Sequence, residues 1–334
     1  IFYTSINIPY GSMASAVSPE SKDRAELSTW RTIGSSLASL VIGVGTPMIA
    51  YVTVDGKTML SGSRMTIIAG VFSVCAIICY LLCFKMVQER VQLTTKNEKL
   101  DFGKLLKSIA TNRSLMGIIA AALMLLLSQL TMSGMSSYVY PNYYGSAAAQ
   151  STASLLGTVV MLIVCAPFAS KLAAKFGKKE LAVASSICSA LVWLVCLIWR
   201  PASVWGFVAC YILANIGMGF FNTIIWAMIT DVIDDAEVRS GIREDGTIYS
   251  VYSFARKLGQ AFSSGLVGAL LGIIGYTEAT AFDPAVTRGI FNMACIAPII
   301  GFVCIVLALV FLYPLNKKKV EENVAALAAR RNSK

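Results

Sequence analysis

Long runs without a single charged residue alternate along this chain with short clusters of charge. The uncharged runs cover 32–54, 65–84, 114–170, 181–199, 201–230, 258–277 and 289–316. A helix needs about 20 apolar residues to cross the hydrocarbon core of a bilayer. The run at 114–170 is long enough for two helices, and YPNYYG at 140–145 supplies the turn between them. The pattern therefore predicts eight complete spans. Residues 1–17 read as the end of one more, since an apolar helix-like segment is already under way at Ile1. The chain is accordingly expected to be part of a longer one, and the sequence argues neither for nor against a signal peptide.

Composition agrees. Hydrophobic residues make up 56% of the 334 positions and charged ones only 14%, against roughly 25% charged in soluble domains. The fold class expected is an all-α polytopic membrane protein.

The distribution of charge sets the orientation. Loops at 18–31, 85–113, 171–180, 231–257 and 314–334 hold 24 of the 28 Lys and Arg residues, leaving Lys57, Arg64, Arg200 and Arg288 on the other side. The positive-inside rule makes the first side cytoplasmic, the C-terminus with it. The net charge of +10 is then topology, and no nucleic-acid partner is needed to explain it. The nine Cys lie mostly within apolar spans without CxxC spacing and read as small buried hydrophobes. With no His in the chain, His catalysis, His metal ligands and His proton relays are excluded. No GxxxxGK[ST] loop, nucleophile–base pair or metal cluster appears, so neither an ATP site of that kind nor an enzyme is expected.

The one long polar segment, 85–113, precedes six spans and follows two complete ones and a stub. This divides the chain into a remnant of an N-terminal helical half (1–84), a central cytoplasmic loop (85–113), a complete six-helix C-terminal half (114–316) and a cytoplasmic tail (317–334). Transporters of twelve helices are built from two such halves around a midplane site. SKLAAKFGKKE at 170–180, a short basic turn with Gly177, resembles the turn after the second helix of each half in the major facilitator superfamily.

Several polar groups are candidates for chemistry. Thr4, Asn7, Tyr10 and Gly11 fall at three-to-four spacing beside Pro9, which frees a backbone carbonyl. Such a stripe lines a sugar cavity or hydrogen-bonds between helices, and the residues alone allow both. Arg31 is either an anchor at the membrane edge or a fork of donors for sugar hydroxyls or a carboxylate. Lys257 lies roughly 16 Å along its helix if that helix starts near Gly246, a depth at which ionisable groups are usually functional. A start near Ser250 leaves it free to snorkel. Tyr252 and Ser253 are then its polar neighbours. Asn222 and Trp226 lie on the preceding span, where the indole suits the apolar face of a sugar ring. Asp231, Asp234 and Glu237, with Arg243 beyond, form a cytoplasmic gate or a solvated charged loop.

NIPYGSM with DRAELSTWR, NRSL at 112–115, and DVIDDAEVRSGIREDGTIYSVYSFARKLGQAF together resemble the glycoside–pentoside–hexuronide:cation symporters, the melibiose-permease-like branch of the major facilitator superfamily. The resemblance covers essentially the full length. It implies alternating-access symport of glycosides or related sugars (galactosides, pentosides, glucuronides) with Na⁺ or H⁺, by a multi-pass, monomeric protein of a bacterial inner membrane, without a cofactor. It implies a substrate site of Asn7, Tyr10, Gly11, Arg31, Asn222, Trp226, Tyr252, Ser253 and Lys257, with Thr4 and Lys257 at the cation site. Asn7 stands where melibiose permease has a sugar-binding Asp, and Gly11 and Asn222 where it has Trp, which points away from melibiose itself. The alternatives are an uncoupled facilitator of another polar solute or lipid, and a membrane sensor that has kept the fold without transport.

Overall fold

The computed structural model describes residues 21–54, 57–87, 112–240 and 245–332. They form two compact units, one holding α1, β1 and α2 and the other α3 to α10.

In the first unit, α1 (Ser21–Ala50) contains Pro47. The apolar run predicted to span through residue 54 stops short, because Tyr51–Val54 is strand β1, paired with β2 (Lys57–Leu60). A segment of Val and Thr favours extended backbone over helix. α2 (Gly62–Met86) starts at Ser61, whose side chain accepts from the Arg64 amide, and Arg64 in turn donates to the Ile49 carbonyl at 3.3 Å. Met65, Tyr80, Ile77, Leu81, Ile67, Val71 and Met86 are all exposed and fall at successive angles about the axis of α2, so its apolar surface runs right round the helix. A helix of this length and composition belongs in lipid or against further helices.

The second unit carries six spans. α3 (Arg113–Tyr138) is capped by Asn112 and ends in a π turn, Val139–Tyr143. α4 (Ala147–Val160) begins at the Ser146 cap and continues through a second π turn, Met161–Cys165, into α5 (Ala166–Phe176). The reversal predicted at 140–145 is therefore where the chain turns. Gly177, at φ 106°, makes the sharp link to α6 (Lys178–Trp199), a backbone conformation that side chains rarely adopt. α7 (Val204–Ser240), α8 (Asp245–Ile274) and α9 (Pro284–Leu307, with a π turn at Ala308–Leu312) complete the set.

α3 packs against α8 and α9, α9 against α6, and α6 against α7. Phe207, near the start of α7, joins an aromatic cluster at that end of the core, 5.5 Å from the Tyr140 ring, 5.7 Å from Trp193 and 5.9 Å from Phe291. Close helix approach falls at Gly117, where an added methyl would meet the Tyr313 backbone nitrogen at 2.7 Å. Gly268 and Gly272, whose spacing also suggests close packing, meet nothing within 4 Å.

Residues 317–334 depart from the expected tail. Lys317–Asn332 forms a helix, α10, with Asn323 and Leu327 buried. Val320, Asn323, Ala326 and Leu327 repeat at three and four residues and are covered, so one face meets the end of α7.

Candidate functional site

The helices α7 and α8 bring the polar groups of this half together. α8 runs over Asp245–Ile274 and its apolar span starts at Val251, which puts Lys257 six residues and about 9 Å inside the span. Its buried side (Val251, Tyr252, Ala255, Gly259, Ser263) faces the core, while Ser253, Lys257 and Gln260 share the exposed side. Lys257 Nζ donates to Gln260 Oε1 at 3.2 Å.

Tyr252 and Lys257 thus point to different sides of one helix. The residue that reaches Tyr252 is Arg256, one turn on, whose Nη1 donates to the phenol oxygen at 3.2 Å. Trp226 of α7 meets the Tyr252 ring edge-on with centroids 5.3 Å apart, and the Arg256 guanidinium lies 5.3 Å from the indole centre. Trp226 remains 45% exposed whereas Tyr252 is fully covered. Asn222, half-buried, stands one turn before Trp226 on α7. The arrangement offers an accessible indole, a guanidinium held by two aromatic rings, and an exposed strip of hydroxyl, ammonium and amide on the next helix.

A second polar cluster lies at the end carrying the basic loops. Asp231 Oδ1 accepts from Lys178 Nζ at 2.6 Å, and Lys178 also donates to the Ala227 carbonyl. Asp235, almost wholly buried, accepts from Ser114 Oγ at 2.8 Å, from Asn323 Nδ2 at 3.1 Å and from Arg239 at 3.0 Å. Lys179 Nζ donates to the Tyr313 carbonyl at 2.6 Å, and Tyr313 Oη donates to the Met228 carbonyl. Burial first, then the nearby Asp231 and Asp235, push the Tyr313 phenol well above its ordinary pKa and keep it a donor. Asp231, expected at a gate, is thus paired within its own half. Asp234 and Glu237 are half-buried on the same helix end.

Thr4, Asn7, Tyr10, Gly11 and Arg243 lie outside the described residues. Arg31 falls on α1, and its side chain lies outside them as well. Sequence reasoning placed Arg256 on one helix face with Tyr249 and Tyr252 or Ser253 without giving it a role, and missed Lys178, Tyr313 and Asn323. Only the four-residue spacing of Tyr252 and Arg256 was there to be seen, since the other partners come from separate helices. Among the described residues no group of three His, Cys, Asp or Glu side chains stands close enough to hold a metal ion.

Residues 1–317 match the family described as MFS/sugar transport protein. The chain belongs to that family. Its resemblance to the glycoside–pentoside–hexuronide branch is matched by the relatives of this sugar-transport chain. A glucuronide carrier protein homolog of Escherichia coli is 28% identical, over 98% of this chain and 71% of that one. YjmB of Bacillus subtilis, described as an uncharacterized symporter, is 29% identical over 96% and 68%. The isoprimeverose transporter of Lactiplantibacillus pentosus is 24% identical over 98% and 70%.

Proposed function

We propose that this member of the sugar-transport family is a cation-coupled symporter of glycosides, working as a monomer in a bacterial inner membrane with its C-terminus in the cytoplasm. The observation that carries the reading is the meeting of Trp226, Tyr252 and Arg256, flanked by Ser253, Lys257 and Gln260, within apolar spans. Ionisable groups at such depth are costly and serve a pathway more often than packing. An indole face suits the C–H side of a sugar ring, and the hydroxyl, amide and ammonium groups suit its hydroxyls.

Substrate would contact Trp226 and Ser253, with Asn222 alongside; the family resemblance adds Asn7, Tyr10, Gly11 and Arg31 as substrate-binding candidates. Thr4 and Lys257 would serve the cation. A cation and an ammonium repel, so sugar occupancy that repositions Lys257 alters cation affinity, which is the coupling symport needs. Na⁺ and H⁺ both fit this logic. Asp231, Asp234, Glu237 and Arg243 would close the cytoplasmic side, Asp231 through Lys178 in its own half.

The test is uptake of a labelled glycoside panel into vesicles carrying the complete gene product, with and without a Na⁺ or H⁺ gradient, for the parent and Lys257→Ala. Concentrative uptake that Lys257→Ala abolishes supports the reading. Uptake that only equilibrates points to a facilitator. Saturable glycoside binding without uptake points to a sensor.

A further inference from the structure

Arg256 carries its charge inside an apolar span, yet no Asp or Glu pairs with it among the described residues. Its guanidinium has five N–H donors, of which the Tyr252 phenol takes one. Trp226 and Tyr252 hold the group from two sides, at 5.3 Å and 5.8 Å from the ring centres. π faces stabilise a guanidinium without neutralising it or satisfying its N–H edges. The side chain is only half-buried and the indole is 45% exposed, so both have surface left for a ligand.

We propose that Arg256 is the specificity-determining residue of the transport site, the group by which this chain would take the hexuronide members of its family's substrate range, pyranoses carrying a ring carboxylate. The planar fork matches a carboxylate with two parallel hydrogen bonds, which a hydroxyl cannot accept in the same way. Because the aromatic rings already fix the guanidinium, little side-chain freedom is lost when the ligand arrives. Trp226 supplies the apolar wall for the sugar ring beside that carboxylate. Lys257, next in the chain and exposed, adds positive potential on the neighbouring side of α8. The proposal rests on the sugar-transport reading and adds the charge of the substrate to it.

The experiment compares two probes with one aglycone, p-nitrophenyl β-glucuronide and p-nitrophenyl β-glucoside, which differ only in carboxylate against hydroxymethyl. Binding to the purified complete protein is measured for the parent, Arg256→Gln and Arg256→Lys. The parent is expected to prefer the glucuronide by about tenfold or more, and Arg256→Gln to lose about thirtyfold of that affinity while holding the glucoside within about twofold. Arg256→Lys, a point charge without the fork, falls between. Retained glucoside binding shows that Arg256→Gln is folded. Equal loss of both probes in Arg256→Gln, or loss of neither, makes Arg256 a packing residue and overturns the proposal. A parent that binds the two probes equally, or the glucoside better, overturns the acidic-substrate proposal alone. A parent that binds neither glycoside overturns the proposal and leaves the sugar-transport reading, which rests on the family match and on uptake, to be judged separately.

Discussion

Asn323 of α10 donates to Asp235 of α7 across 3.1 Å, and both side chains are buried. The C-terminal helix is therefore fastened to the bundle at its start, where Lys317 donates to Glu180 and to the Lys175 carbonyl, and at the sealed Asp235 carboxylate. That carboxylate also takes Ser114, the second residue of α3, so one side chain gathers three elements.

Asn323→Ala is expected to destabilise the protein by about 1–2 kcal/mol, since a hydrogen bond to a charged group is lost while Ser114 and Arg239 remain. Asp235→Ala removes all three acceptor contacts and should cost more. Thermal unfolding in detergent reads both, and limited proteolysis should cut α10 sooner in each variant.

The pair Lys178–Asp231 is asymmetric, with side chains 31% and 6% exposed. Lys178→Met strands a buried carboxylate, one of whose oxygens already lacks a hydrogen-bond partner. Asp231→Asn leaves an ammonium that can turn to water. The first substitution should therefore cost about 1–2 kcal/mol more than the second. Comparable unfolding midpoints for the two would show that the pair is hydrated.

Gly117→Ala places a methyl against the Tyr313 and Leu312 backbone at 2.7–2.8 Å, where nothing flexible can give way. A loss of about 1–3 kcal/mol is expected, as for other overpacked sites. Gly268→Ala, with nothing within 4 Å, should leave the unfolding midpoint unchanged or slightly raised.

Tyr252→Phe keeps the ring against Trp226 and removes the oxygen that receives Arg256. Stability should fall by about 1 kcal/mol, the worth of the lost hydrogen bond. Glycoside affinity should fall about threefold to tenfold, because the guanidinium is no longer held ready for the substrate. Counterflow with a labelled glycoside separates the two effects.

The spans were legible because a bilayer demands long uncharged runs, and Gly177 and YPNYYG marked their ends. The strand at 51–54 was hidden inside such a run, since Val and Thr satisfy hydropathy while favouring extended backbone. α10 was missed for the opposite reason: its Lys, Glu and Arg content resembles a solvated tail, and only four positions show its buried face. In the acidic segment the three-residue repeat of Asp231, Asp234 and Glu237 drew attention. The side chains that the structure seals are Asp231 and Asp235, four apart and closer to one helical face. Arg256 and Lys257 are adjacent, so nothing in the sequence tells which of them turns toward Trp226. That choice depends on which side of α8 meets α3.

Tyr313 has a consequence for how motion in this half would be observed. Its carbonyl is held by Lys179 of α6, its phenol grips the Met228 carbonyl of α7, and its backbone abuts Gly117 of α3. Three spans are knotted at one residue just beyond the last of them. A spin label or fluorophore on any one should then report the displacement of all three, and distances between labels placed within the set should stay constant through the cycle.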